Sequence, residues 1–307
     1  MGVKQDSRFM KMFKVMAASM LGIAFCLGFT ACSDDDENGN DGGNTTTVVN
    51  PEKVFTGGLP KSVSGMSISQ NEEGLVTSIT TDEGEKAVFE YFPVTRAEAS
   101  INSARITVTD EDGDVTELNL QLNSDGYVKY CKSIDHAGTP DADEFTWEME
   151  YDTEGHLIEM RRSEGGGEIT NITYKDGDVI KTTTRYTAGG DINGDGVIDS
   201  NDEWKDQATI DYVTTGVTVP IKNKGCLMMF DELLDVDMDE MIYAYYGGML
   251  GKATKHLPLT GHYTYDNSGN TTEQNFSWAL NSNGYPTELI VKRPGEEMWE
   301  DKYSFTW

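Results

Sequence analysis

Basic residues are scarce in this chain: 24 lysines and arginines stand against 53 aspartates and glutamates, for a formal net charge of -29. Affinity for DNA or RNA rests on cations that neutralise phosphates, so nucleic acids are excluded as partners. Histidine is rarer still, and His136, His156, His256 and His262 include no His-Glu-x-x-His or other ligand spacing, so no zinc site is visible. A Gly-x-Ser-x-Gly nucleophile elbow and a Cys-x-x-Cys pair are also missing. Gly165-Gly166-Gly167 lacks the Lys-Ser or helix that a phosphate cradle needs, and reads as a hairpin tip. One enzyme class stays open, hydrolysis of glycans by paired carboxylates, because so many acids offer more pairs than sequence can rank. Apart from that, the chain reads as non-catalytic.

What is present begins with a leader. Lys4, Arg8, Lys11 and Lys14 precede an apolar run from Val15 to Ala31 that ends in Phe29-Thr30-Ala31-Cys32. The run is about 17 residues, at the lower limit for spanning hydrocarbon, and no basic stop-transfer cluster follows. This arrangement resembles a bacterial lipoprotein signal, in which residues 1–31 are removed and Cys32 is lipidated. The membrane is then a partner through the lipid alone. Ser33-Asp34-Asp35-Asp36-Glu37 resembles the tag that sends such proteins to the outer face of the outer membrane, which implies a lipid-anchored chain exposed on the cell surface. Without the leader, 52 acids face 20 bases.

Residues 32–55 hold the lipidated cysteine and an Asp, Asn, Gly and Thr stretch with little to bury, so a disordered acidic tether is expected there and a folded domain over 56–307. Cys131 and Cys226 remain once Cys26 and Cys32 are accounted for. Export permits a disulfide between them, worth about 4–5 kcal/mol in the chain-entropy picture. Both also suit burial as small apolar side chains.

A repeated unit organises that domain: an apolar strand runs into Asp or Asn, then polar residues, then Gly, then another strand. It recurs at Asn71–Gly74, Asp82–Gly84, Asp110–Gly113, Asn123–Gly126, Asp152–Gly155, Asp176-Gly177, Asp266–Gly269 and Asn281–Gly284. Asp or Asn starts a turn through local backbone hydrogen bonds, and Gly takes the left-handed conformation that closes a bulged hairpin. Between turns, Phe145-Thr146-Trp147-Glu148-Met149-Glu150-Tyr151 alternates large apolar with polar residues, as an antiparallel sheet with one covered face does. The fold class is therefore mainly β, an antiparallel meander of hairpins forming a large curved sheet or a barrel-like body. One helical segment is expected near 227–250, where Asp237 and Glu240 form a capping-box pattern ahead of Met238, Met241, Ile242 and Tyr245, and Gly247-Gly248 stops it. Its apolar stripe suits a lid over the sheet.

The segment Ala244-Tyr245-Tyr246-Gly247-Gly248-Met249-Leu250-Gly251-Lys252-Ala253-Thr254-Lys255-His256-Leu257-Pro258, followed by Tyr263-Thr264-Tyr265-Asp266-Asn267-Ser268-Gly269, resembles a family of uncharacterised lipoproteins from gut Bacteroidota that carry a domain of unknown function with a porin-like fold. Units such as Tyr151-Asp152-Thr153-Glu154-Gly155-His156-Leu157 also resemble YD repeats. The porin-like resemblance raises an outer-membrane β-barrel as an alternative, helped by the alternation of Tyr303, Phe305 and Trp307. Against it, Ile169–Tyr174 and Lys181–Tyr186 are dominated by Thr and charge, where a lipid-facing strand needs a continuous apolar face.

The strongest chemical signal is Asp191-Ile192-Asn193-Gly194-Asp195-Gly196-Val197-Ile198-Asp199-Ser200-Asn201-Asp202, which resembles the EF-hand and dockerin calcium loop. Asp191, Asn193 and Asp195 supply hard oxygens, Gly196 the bend, Val197 a carbonyl, Asp199 a direct or water-mediated contact, and Asp202 the closing position. A sensor would carry Glu where Asp202 stands, and Glu203 comes one residue late, so affinity of roughly 10⁻⁴ to 10⁻³ M is expected. The flanks, Lys181–Tyr186 and Ala208–Val213, read as strands, which makes calcium a structural cofactor here. The reading is then a surface-anchored, calcium-ordered, non-catalytic module binding a glycan or a surface protein.

Overall fold

The computed structural model describes residues 49–92, 103–164, 167–187, 190, 194–197, 202–265, 269–295 and 299–307, all within one compact unit spanning 44–307. The strands are β1 (Ser62–Val63), β2 (Met66–Gln70), β3 (Val76–Thr80), β4 (Lys86–Tyr91), β5 (Ala104–Thr109), β6 (Val115–Leu122), β7 (Val128–Asp135) and β8 (Asp143–Tyr151). They continue as β9 (Leu157–Arg162), β10 (Glu168–Lys175), β11 (Asp178–Thr187), β12 (Glu203–Asp211), β13 (Thr260–Thr264), β14 (Thr271–Leu280), β15 (Pro286–Lys292) and β16 (Glu300–Thr306). Each pairs antiparallel with its chain neighbours, and β1 closes onto β16 to complete a barrel.

The hairpin turns follow from their sequence. At Asn71, Asp110, Asn123, Asp152 and Asn281 the side-chain oxygen accepts backbone N–H groups two and four residues on, at 2.8–3.1 Å. The glycine three residues on takes a φ between 80° and 90° in each case. Asp176 and Gly177 both have positive φ, 55° and 86°, as a two-residue hairpin turn requires.

Alternation decides what lines the barrel. On β8, Phe145, Trp147 and Met149 are buried while Glu148 and Glu150 are exposed; on β5, Ala104, Ile106 and Val108 are buried. The apolar lining is filled by the chain between β12 and β13, which carries α1 (Phe230–Leu234) and α2 (Met241–Tyr246). Antiparallel alternation puts the turns β6–β7, β8–β9 and β10–β11 on one rim. There the N–H groups of Val128, Lys252 and Lys255 donate to the carbonyls of Met249, Gly155 and Gly177 at 2.8–2.9 Å. Ahead of those anchors in sequence the plug passes through the barrel: Tyr243 bonds Glu85 in the β3–β4 turn, and Arg162 at the end of β9 pairs with Asp237 and Asp239 on the opposite rim.

The lid expected near 227–250 thus lies inside the sheet rather than over it, as two short helices. Neither would persist alone. Leu227, Met228, Phe230, Leu233, Met238, Met241 and Tyr245 are buried, and each such side chain contributes about 1.5–3 kcal/mol by leaving water. The capping box does not form: Glu240 occupies the N-cap of α2 without a side-chain cap, and Asp237 accepts from the Asp239 N–H. Backbone carbonyls left by these broken helices are met by inward hydroxyls, Thr182 donating to Leu234 at 2.6 Å and Tyr263 to Leu233 at 2.8 Å. The packed part of the chain also begins before residue 56: Pro51–Lys53 form a 3₁₀ turn, and Val49, Val54 and Phe55 are buried.

Candidate functional site

Two features stand on the rim where the tip of the plug lies. The first is the β11–β12 connection, which carries the calcium-type loop. Asp191, Asn193 and Asp199 lie outside the described residues, as does Cys32. Gly194 and Gly196 take φ of 79° and 85°, and the Val197 N–H donates to Asp195 at 2.8 Å, so the backbone turns at Gly194 as well as at Gly196. Val197 is exposed, whereas Asp202 is fully buried at the head of β12. The flanks are paired strands, Thr187 opposite Glu203 and Tyr186 opposite Trp204. Among the described residues no three His, Cys, Asp or Glu side chains are grouped to hold a metal ion.

The second feature is an acidic mouth. The plug tip carries Asp231, Glu232, Asp235, Asp237, Asp239 and Glu240, a density that sequence reasoning passed over while it attended to the apolar stripe. Burial pushes the Glu240 carboxyl up to about 7, with Asp239, Asp135 and Glu85 adding repulsion. Burial also raises Asp231, with Glu232 next among the causes, although Asp231 keeps contact with water at the mouth. Arg162 meets this charge with its guanidinium 4.7 Å from the Trp147 ring and 5.1 Å from Phe145. No motif announces Arg162; its role arises only when the barrel closes around the tip.

The other candidates do not assemble into one site among the described residues. The four histidines are separate, and each sits beside a carboxylate. Cys131 and Cys226 are free thiols, with Cys131 buried. A groove of about 250 Å³ on the outer wall includes Glu148, Glu150 and Glu159, but Glu159 is held by Arg161 at 2.7 Å and Asn171 at 2.9 Å. None of the five tryptophans is exposed, and those of Trp278 and Trp307 donate to the Pro258 and Pro286 carbonyls.

Comparison with known proteins agrees with this architecture. A porin-like protein from Bacteroides uniformis shares the fold with a TM-score of 0.51 at 19% identity, over 78% of this chain and 89% of that one. A porin-like protein from Bacteroides vulgatus gives 0.55 at 10% identity, over 81% and 98%. No curated protein matches. Residues 68–288 match the family described as a domain of unknown function (DUF4595) with porin-like fold, and the chain belongs to that family.

Proposed function

We propose that this chain is a lipid-anchored, plugged barrel standing in water outside the cell, a non-catalytic scaffold that binds a surface protein or a glycan at its acidic rim. The observation that carries the reading is the polarity of the wall. A barrel in a bilayer needs an outward apolar band about 25 Å tall. Here the outward positions include exposed Lys86 and Glu90 on β4, Glu148 and Glu150 on β8, Lys205 on β12 and Lys302 on β16. Barrels of about 16 strands that conduct leave an aqueous channel, whereas here the plug occupies the lumen, with Leu233, Met238, Met241 and Tyr245 buried. Closure favours the outer-membrane alternative, but the wall and the filled lumen oppose it, and attachment falls to Cys32. With Trp147 buried and the other four tryptophans only partly exposed, no open stacking platform favours the hydrolase alternative, and a protein is favoured over a glycan as ligand.

Calcium bound by Asp191, Asn193, Asp195, Val197, Asp199 and Asp202 would order the β11–β12 connection beside the mouth. The millimolar-range affinity expected with Asp202 at the closing position would suit an extracellular setting. The test fractionates cells expressing the native chain or Cys32→Ala. Native protein is expected in membranes and the variant in the soluble fraction; a variant that resists alkaline carbonate extraction overturns the reading. With purified protein, calcium at about a hundred times Kd should add roughly 2.7 kcal/mol and raise Tm by about 5–10 °C. Asp191→Ala with Asp195→Ala should abolish the shift, and an unchanged Tm in the parent removes calcium from the account.

A further inference from the structure

The plug is electrically polarised along the barrel. Tyr212–Phe230 and Met241–Tyr265 contain no acid at all, in a chain where acids outnumber bases about twofold, while Asp231–Glu240 between them holds six. The six lie at the tip. The acid-free legs emerge at the opposite rim and present exposed Lys222, Lys224, Lys252 and Lys255, none of which pairs with a carboxylate among the described residues. Beside them the connection after β12 turns back on itself, Thr214 and Val217 exchanging backbone hydrogen bonds at 2.8 and 3.2 Å, and leaves Val213 48% and Val219 74% exposed. Val219 is the most exposed of the large apolar side chains described.

The described chain also starts at this rim. Pro51 packs against Gly248 at the end of α2, and β1 begins here, which puts the first described residue, Val49, at the lysine-bearing end. Sixteen residues lie between Val49 and Cys32, a reach of at most about 60 Å.

We infer that this rim is a membrane-docking face, seated on an anionic phospholipid bilayer with the Val213–Val219 turn dipping among the headgroups. The inference rests on Cys32 being the anchor, and it deepens that reading by giving the barrel an orientation. Glu52, Glu72, Glu73, Asp125, Asp152, Glu154, Asp176 and Asp178 share the rim with Lys53, Lys61, Lys175 and the four lysines of the plug, so its charges come close to balance. The opposite rim, with the plug tip, Asp82, Asp110, Asp112 and Asp114, would be repelled by lipid phosphate. One end alone can approach an anionic surface, and it carries the exposed valines. Each lysine near such a surface is worth about a fivefold gain in partitioning, and apolar side chains in the headgroup region add to it.

The test uses the chain from residue 32 onward with Cys32→Ala, which retains every described contact of the barrel. Cosedimentation with vesicles of phosphatidylglycerol and phosphatidylethanolamine is expected, weakened by salt, with little binding to phosphatidylcholine alone. The variant Lys222→Gln with Lys224→Gln should bind about thirtyfold more weakly, and Val213→Ser with Val219→Ser should lose binding further. Lys292→Gln with Lys302→Gln, on the wall, should change nothing. Circular dichroism confirms that each variant folds. Absence of vesicle binding, equal binding to phosphatidylcholine, or full binding by the Lys222 and Lys224 variant overturns the inference. Mass spectrometry of the native chain reads acylation of Cys32 separately, so a failed anchor and a failed docking face are distinguishable.

Discussion

Gly248 shows how tightly single residues hold the plug. Its φ is +76°, and a Cβ there would stand 2.5 Å from the Cα of Pro51, where a glycine lets the amino-terminal segment lie directly on the end of α2. A left-handed conformation costs an alanine about 1–2 kcal/mol, and overpacking against backbone adds about 1–3 kcal/mol. Gly248→Ala should therefore lose about 2–5 kcal/mol, read as a lower urea midpoint at unchanged m-value. Gly216→Ala, at a position with open space and no positive φ, is the control and should be neutral. Equal midpoints for the two variants would refute the close-packing argument. This stop was legible, since Gly247-Gly248 ends an apolar helical pattern. That Pro51 presses on it was not, because the contact joins segments almost two hundred residues apart.

At the scale of elements, the turns were readable and the plug was misread for a physical reason. Asn or Asp followed by Gly three residues on encodes a complete local hydrogen-bond set, so no distant partner is needed to fix the hairpin. An apolar stripe on a short helix states only that one face is buried, not whether the covering surface is flat or wrapped around it. The acids of the tip then acquire a property that no window of sequence contains. Free Glu240 titrates at the ordinary glutamate value, 4.5, and in the folded chain at about 7. Between those values the folded state holds a proton that the unfolded state lacks, so acidification through this window stabilises the fold and rising pH removes that stability. Tm should climb as pH falls from about 8 to about 5.5. Glu240→Gln should raise Tm at the alkaline end and flatten the slope. A slope of opposite sign would show that the tip is solvated rather than enclosed. Under stronger acid the trend should reverse. Burial alone would raise Asp152, but its hydrogen bonds with His156 hold it below the ordinary carboxylate value, and it loses them when protonated.

For the whole molecule, closure is the property that alternation along strands could not specify, since the same period serves an open sheet and a barrel. It depends on a short seam. β1 contributes two residues, with Ser62 opposite Thr306 and Val63 opposite Phe305, against eight register pairs between β10 and β11. The seam is reinforced by the Lys61 and Ser64 N–H groups, which donate to the Thr306 and Ser304 carbonyls at 2.8 Å, and by the Ser62 and Thr306 hydroxyls at 2.8 Å. Beyond it Trp307 covers Gly225 and lies 4.9 Å from the Tyr285 ring, tying the end of the chain to the base of the plug. Exposed strand edges are templates for pairing with other chains, and only closure removes them. Deleting residues 299–307 would free the edges of β15 and β1 together. The shortened chain should pass from monodisperse to concentration-dependent association in analytical ultracentrifugation, with hydrogen exchange accelerating first at Lys61, Ser64 and β15 while β10 and β11 stay protected. If the deletion stays monomeric and the protection of β15 is unchanged, the seam does not close the barrel and the plug alone holds the sheet in its curve.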